Sequence, residues 1–344
     1  MMTRIEKATN ESIARAALII KNGGLVAFPT ETVYGLGANG LDGEAASRIY
    51  TAKGRPSDNP LILHIAKKDM VYELAEIVYP EAEKLMDAFW PGALTLIFPR
   101  KAHIPSVVSG GLDTVGLRMP SHPTAQKLIL LAGLPLAAPS ANLSGRPSPT
   151  LAEHVRHDLD GKIDMILDGG AADWGLESTV VEVSPNGVCV LRPGTVTIEQ
   201  LSRVIPNLWF DKAVENFTNL DLTPKSPGMK YRHYSPEAEV ILVVGPENKA
   251  REYILAEAIT KNPDLTGILA ADQTLLAYID TKLTVLSLGD RGRPETAAAN
   301  LFRVLREFDK RGIRLVYAEG IDIHGLGLAV MNRLRKAATK CVEV

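Results

Sequence analysis

Over residues 212–237 the apolar periodicity of the chain stops, so the segments on either side must each bury a core of their own. With 344 residues and ~100–200 residues per domain, the break predicts two domains. The expected boundaries are 1–210 for a first domain, 211–237 for a linker and 238–344 for a second domain. An inert spacer would be rich in Gly and Ser or in charge. This one concentrates Lys225, Lys230, Tyr231, Arg232, His233 and Tyr234 in one short run, a composition suited to touching a ligand.

Before the break, β-rich runs and helical segments are punctuated by Gly and Pro. Strands are expected over 24–28, 60–65, 94–98, 114–117, 165–168, 178–183 and 188–191, and helices over 43–53, 70–89, 124–132 and 198–203. That is a mixed α/β domain. After the break, strands over 240–244, 267–270, 283–288 and 315–318 alternate with helices over 249–260, 295–310 and 328–338. Such a rhythm predicts a small, parallel, doubly wound α/β sheet.

Gly35-Leu-Gly-Ala-Asn-Gly40 matches a dinucleotide-binding fingerprint. However, Pro29-Thr-Glu-Thr-Val-Tyr34 separates it from the strand it should follow directly, and Lys53 and Arg55 occupy the region where a ribose-binding acid is expected. Gly325-Leu-Gly327 lacks the third glycine and reads as the turn that starts a helix. There is no P-loop and no G-x-S-x-G elbow. The histidines show no H-x-x-x-H or H-E-x-x-H spacing, and His64 falls in an apolar strand.

More informative is Lys53-Gly-Arg-Pro-Ser-Asp-Asn-Pro60. Two cations, a helix-ending glycine and a φ-fixing proline followed by Ser57 and Asn59 make a rigid cationic corner suited to a polyphosphate. Leu136-Ala-Ala-Pro-Ser-Ala-Asn142 then stops an apolar strand at Ser140 and Asn142, with Ser144 and Ser148 beyond, where α/β folds bind ligands. Pro29–Tyr34, Gly116–Pro120, Gly175–Thr179 and Leu191–Gly194 also place polar or cationic residues beside Gly or Pro at strand ends. Together they predict one cleft.

Charge narrows the partners. Lys and Arg total 38 against 40 Asp and Glu, so no overall cationic field draws the chain onto nucleic acid or anionic lipid. Aromatic residues are too few for a platform that stacks successive bases. Cys189 and Cys341 are the only cysteines, which excludes a disulfide framework and a zinc ribbon and fits the cytoplasm. No apolar run is long enough for a membrane span.

In order along the chain, Pro29-Thr-Glu-Thr-Val-Tyr-Gly-Leu-Gly37, Lys53-Gly-Arg55-Pro with Asn59-Pro-Leu61, Trp90-Pro-Gly92, Arg118-Met-Pro120, Pro139-Ser-Ala-Asn142, Glu177-Ser-Thr179 and Arg192-Pro-Gly194 resemble the YrdC-like family of threonylcarbamoyl-AMP synthases. The linker and the trailing α/β segment resemble that family's long, two-domain form. The resemblance implies a YrdC-like mixed twisted sheet with an open cleft, joined to a Rossmann-like domain. It also implies a nucleotidyltransferase reaction in which L-threonine, bicarbonate or CO2, and ATP give L-threonylcarbamoyladenylate and pyrophosphate.

Mg2+ would arrive with the ATP, with no metal held by the protein alone. A separate tRNA transferase would consume the product, with neither stable nucleic-acid binding nor a membrane involved. Lys53, Arg55, Asn59, Thr114, Ser140, Asn142, Ser148 and Arg192 would bind ATP, Lys53 and Arg55 also offsetting charge on the phosphates without any protein nucleophile. Tyr231, His233 and Tyr234 would close over the nucleotide with Arg232. Thr32, His64, Arg118, Ser178 and the backbone at Ala138 would hold threonine, Arg118 gripping its carboxylate.

Overall fold

The structure, a computed structural model, describes residues 2–211 and 233–344. They fall into two compact units. The first runs to Ser144 and resumes at Ser148, whereas the second takes Gly145–Pro147 together with the chain from 233 onward.

The first unit is built on an 11-stranded mixed sheet. Its strands are β1 (Arg4–Lys7), β2 (Val26–Phe28), β3 (Gly35–Asn39), β4 (Ile62–His64), β5 (Leu94–Pro99), β6 (Thr114–Arg118), β7 (Leu136–Ala137), β8 (Met165–Asp168), β9 (Thr179–Ser184), β10 (Gly187–Arg192) and β11 (Leu208–Phe210). They lie in the order β1-β8-β2-β3-β7-β4-β6-β5-β9-β10-β11. At the centre, β4 and β6 run parallel with Ile62 opposite Gly116 and His64 opposite Arg118. The short β7 runs antiparallel to β4, pairing Leu136 with His64.

One core packs Leu36, Leu63, Leu96, Leu117 and Val181 with residues of the Gly43–Lys53 and Pro80–Phe89 helices. A second places Ile13, Ile20, Leu128 and Ile129, from helices Asn10–Lys21 and Pro123–Ala132, against Val26, Phe28, Leu136 and Met165.

Two differences from the sequence expectations have clear causes. The helix expected over 70–89 is two helices, Met70–Leu74 and Pro80–Phe89, with Ala75 extended between them. Pro80 cannot donate into a helix and keeps Tyr79 out of the helical region, so it can only start the second one. The dinucleotide reading of Gly35–Gly40 also fails, because Gly35–Asn39 is itself a strand, paired antiparallel with β2. Its glycines serve close packing: a Cβ on Gly37 would lie 2.8 Å from the Phe28 ring, and one on Gly40 2.4 Å from Leu63.

The second unit holds β12 (Glu239–Val244), β13 (Thr266–Ala271), β14 (Thr284–Gly289), β15 (Leu315–Glu319) and β16 (Lys340–Glu343). All are parallel, in the order β14-β13-β15-β12-β16. Edge strand β16, exposed over most of its length, has too little apolar pattern to be read from sequence. Gly325, at φ +56°, starts the helix Leu326–Ala337 as a turn glycine. Buried Glu319 ties three strand ends together, accepting from the Ala271 amide at 3.0 Å, Thr274 at 2.7 Å, Tyr278 at 2.6 Å and Arg291 at 2.8 Å.

Candidate active site

The cationic corner is set by how a helix ends. Asp42 caps the Gly43–Lys53 helix, and Gly54, in the left-handed region at φ +60°, turns the chain so that Arg55 leaves it at once. Arg55 donates to the carbonyls of Asn59 at 3.2 Å and Pro60 at 3.0 Å. Tyr50 also donates to the Asn59 carbonyl at 3.1 Å, and burial pushes its phenol up to about 12. Asn59 keeps a buried side-chain oxygen without a partner among the described residues. Thr114, which begins β6, is opposite this corner because β6 runs parallel to β4.

Lys53 is 2% exposed. Its ammonium donates to the carbonyl of Ser140 at 2.6 Å, to that of Asn142, and more loosely to the Asn142 side chain at 3.5 Å. It therefore fixes the loop after β7, and the Ser144 amide returns a hydrogen bond to the Lys53 carbonyl at 2.9 Å. The Pro29–Tyr34 segment lies beside the same loop: the Tyr34 carbonyl accepts from Ala141 at 2.8 Å, and the Tyr34 amide donates to Pro149 at 2.9 Å.

At the other end of β4 and β6 stand His64 and Arg118. Thr114 and Arg118 are about 13 Å apart along β6, at a rise of ~3.3 Å per residue. Arg118 is 4% exposed and makes a 2.7 Å ion pair with Glu31, itself 3% exposed. Its Nε donates to the Gly92 carbonyl at 3.3 Å, and no described residue takes Nη1. Burial opposes ionisation of Glu31, but the Arg118 guanidinium together with the backbone amides of Glu31 and Ser121 lowers the carboxyl. Burial first, and Arg118 second, push His64 down to about 3, so its ring is neutral at pH 7. The Phe28 ring meets it edge-on, with centroids 6.2 Å apart.

Ser178 joins this end through β9 and β5, with its hydroxyl 2.7 Å from that of Thr95, the residue just after the start of β5. Arg192 donates to the Ser178 carbonyl at 2.9 Å and 3.2 Å, and Ser148 donates to the neighbouring Glu177. Thus Arg192 and Ser148, grouped with the nucleotide by resemblance, lie against Ser178 of the threonine group. Thr32 is fully buried, 2.8 Å from Thr30. The Ala138 amide donates to Ile62 at 2.9 Å, between the two ends.

His233 and Tyr234 belong to the second unit, where Tyr234 stacks on Phe302 at 5.2 Å beneath the Arg333 guanidinium. Tyr231 and Arg232 lie outside the described residues. Sequence reading did not single out Glu31, Thr95 or Tyr50 for the site. Only the Thr-Glu-Thr setting marked Glu31, whose partner is 87 residues away, and no local spacing encodes such a pairing. Among the described residues no group of three His, Cys, Asp or Glu is gathered to hold a metal, and no helix is long and apolar enough to cross a membrane.

A family profile described as telomere recombination, covering Sua5, YciO and YrdC proteins, matches residues 18–194. A second, the C-terminal domain of threonylcarbamoyl-AMP synthase, matches residues 196–339. The chain is 48% identical to the threonylcarbamoyl-AMP synthase of Pyrococcus abyssi, over 97% of this chain and 96% of that one. It is 46% identical to the Bacillus subtilis protein of the same name, over 97% and 95%. A crystal structure of Pyrococcus abyssi Sua5 complexed with L-threonine superposes with a TM-score of 0.91 at 47% identity, covering 100% of this chain and 99% of the other. With both profiles in register and relatives matched from end to end, the chain belongs to the threonylcarbamoyl-AMP synthase family.

Proposed function

We propose that this protein is a nucleotidyltransferase that joins L-threonine, bicarbonate or CO2, and MgATP into L-threonylcarbamoyladenylate and pyrophosphate. The observation that carries this reading is the division of the β4–β6 pair, with the Lys53–Arg55 corner at one end and Arg118, His64 and Ser178 at the other. The span between them suits an amino-acid carbamate joined to a nucleotide. Family membership over the whole length, and a relative solved with L-threonine, support the same substrate here.

The threonine carboxylate meets the open Nη1 edge of Arg118. Neutral His64, with Thr32, Ser178 and the Ala138 backbone, surrounds the rest of the molecule. The threonine ammonium gives up one proton to water; the free amine then attacks CO2, forming the C–N bond as a C=O π bond opens onto the carbamate oxygen, and its second proton also passes to water. A carbamate oxygen then attacks the α-phosphorus of ATP in line, the bond to the β-phosphate oxygen breaks, and pyrophosphate leaves. Arg55, Asn59, Ser140 and Thr114 position the phosphates and nucleoside, with Asn142, Ser148 and Arg192 along the same wall. Buried Lys53 contributes its charge and a fixed loop, so the work is positioning and electrostatic stabilisation with no protein nucleophile. Mg2+ is part of the substrate, carried on the ATP phosphates. A tRNA threonylcarbamoyl transferase in the cytoplasm consumes the adenylate.

The test is pyrophosphate release from MgATP with threonine and bicarbonate supplied together or singly, with the adenylate identified by mass spectrometry. Release that requires both is expected. Folded protein releasing none, or releasing it regardless of threonine, overturns the proposal.

A further inference from the structure

The proposed reaction gives Arg118 a role but leaves Glu31, its buried partner, without one. A buried ion pair contributes little net stability, because desolvating both charges offsets their attraction. This one also leaves the Glu31 Oε2 atom buried with no hydrogen-bond partner among the described residues, a cost that a purely structural pair would avoid. The pair holds Arg118 by Nη2, while Gly92 holds Nε, so the guanidinium plane is fixed and Nη1 is left without a partner among the described residues.

The charge count at this end is equally specific. Arg118 meets one carboxylate, that of Glu31, and the His64 ring beside them is neutral. One carboxylate against one guanidinium leaves this pocket without net charge. A zwitterionic amino acid enters such a pocket without burying net charge, whereas a carboxylic acid lacking the amine leaves one uncompensated negative charge in low dielectric.

We infer that Glu31 is a positioning and charge-balancing residue that acts through Arg118, making the amino-acid end select a zwitterion over a simple carboxylate. The inference rests on the reading of Arg118 as the carboxylate-binding residue. The two functions separate by substitution. Glu31→Gln keeps an acceptor for Nη2 but removes the charge, leaving the pocket cationic. Glu31→Ala removes both, and Arg118 loses its anchor.

The probe is 3-hydroxybutyrate, which has the carboxylate, hydroxyl and methyl of threonine without the amine, used as an inhibitor of threonine-dependent pyrophosphate release. In Glu31→Gln its inhibition constant is expected to fall about tenfold or more, while the KM for threonine changes less than about threefold. In Glu31→Ala the KM for threonine is expected to rise about tenfold, with the KM for MgATP unchanged. An unchanged 3-hydroxybutyrate constant in Glu31→Gln, or a parallel loss of threonine and MgATP binding, overturns the inference and returns Glu31 to a structural role. Should Glu31→Gln not fold, Glu31→Asp takes its place: it keeps the charge and must keep the wild-type discrimination, and losing it overturns the inference. Arg118→Lys is the control for the underlying reading. If it leaves the binding of both acids unaltered, the carboxylate assignment fails, not the role of Glu31.

Discussion

A histidine that stays neutral down to about pH 3 makes the protein's stability depend on pH in a definite direction. The unfolded chain binds a proton at His64 near pH 6.5, whereas the folded one refuses it until far lower, so stability present above pH 6.5 is lost as the pH falls below it. The slope from this residue approaches ~1.4 kcal/mol per pH unit. His122 adds in the same direction, and Glu31, also lowered, adds its own loss only in the carboxylate range. Urea unfolding between pH 6.5 and 5 should therefore give a flatter pH dependence for His64→Gln than for the wild type, and equal slopes would refute the buried-histidine account.

Lys53 gives a second prediction at this scale. Lys53→Met keeps the apolar stem but leaves the Ser140 and Asn142 carbonyls without their donor. A loss of ~1–3 kcal/mol in unfolding free energy is expected. A rise in the KM for MgATP, without a matching rise for threonine, should accompany it.

Among the elements, the tight crossing of two loops governs the end of the site proposed for threonine. A Cβ on Gly194 would lie 2.3 Å from the Thr179 nitrogen, 2.4 Å from the Ser178 carbonyl carbon and 2.6 Å from the Glu177 oxygen, all of them backbone. Nothing flexible can yield there. Gly194→Ala should displace Ser178 and abolish threonine binding by calorimetry even where folded protein is recovered. Gly54 differs: its φ is +60° but no atom lies within 4 Å of where a Cβ would stand, so Gly54→Ala should cost only ~1–2 kcal/mol of backbone strain and keep the fold. Comparable melting temperatures for the two variants would contradict this reading. The same contrast explains the glycine-rich Gly35–Gly40 segment: its sequence resembles a phosphate-binding turn, yet Phe28 and Leu63 fill the space that side chains there would take, and the strands pack closely as a result.

At the scale of the whole molecule, each unit has apolar residues of its own: Leu63, Leu96 and Leu117 in the first, and Val243, Ile268 and Tyr317 in the second. Every residue proposed for threonine lies in the first unit. A chain ending after residue 211 should therefore keep mixed α/β circular dichroism and bind threonine. The three residues Gly145–Pro147, which interrupt the loop bearing Ser140, Asn142 and Ser148, belong to the second unit, where Arg146 pairs with Glu237 at 2.5 Å and Arg306 donates to Pro147 at 2.5 Å. Loss of threonine binding in the chain ending after residue 211 would contradict a threonine site built from the first unit alone.

Sequence by itself determined the elements whose signals are local. Asp42 and Gly54 bound the Gly43–Lys53 helix where composition placed it, and the β12–β15 alternation gave a parallel sheet because each run is long and regular enough to carry its own period. The motifs at strand ends also marked most of the candidate site, since small, polar and φ-restricting residues are conspicuous beside apolar strands. Tertiary structure decided which of those ends meet. The parallel register of β4 with β6 put His64 beside Arg118 and Thr114 beside the cationic corner, and a pairing across 87 residues gave Arg118 its carboxylate. Register and burial are collective properties of the packed sheet, fixed by how strands share their backbone hydrogen bonds and by what surrounds each charge, and no single segment encodes them.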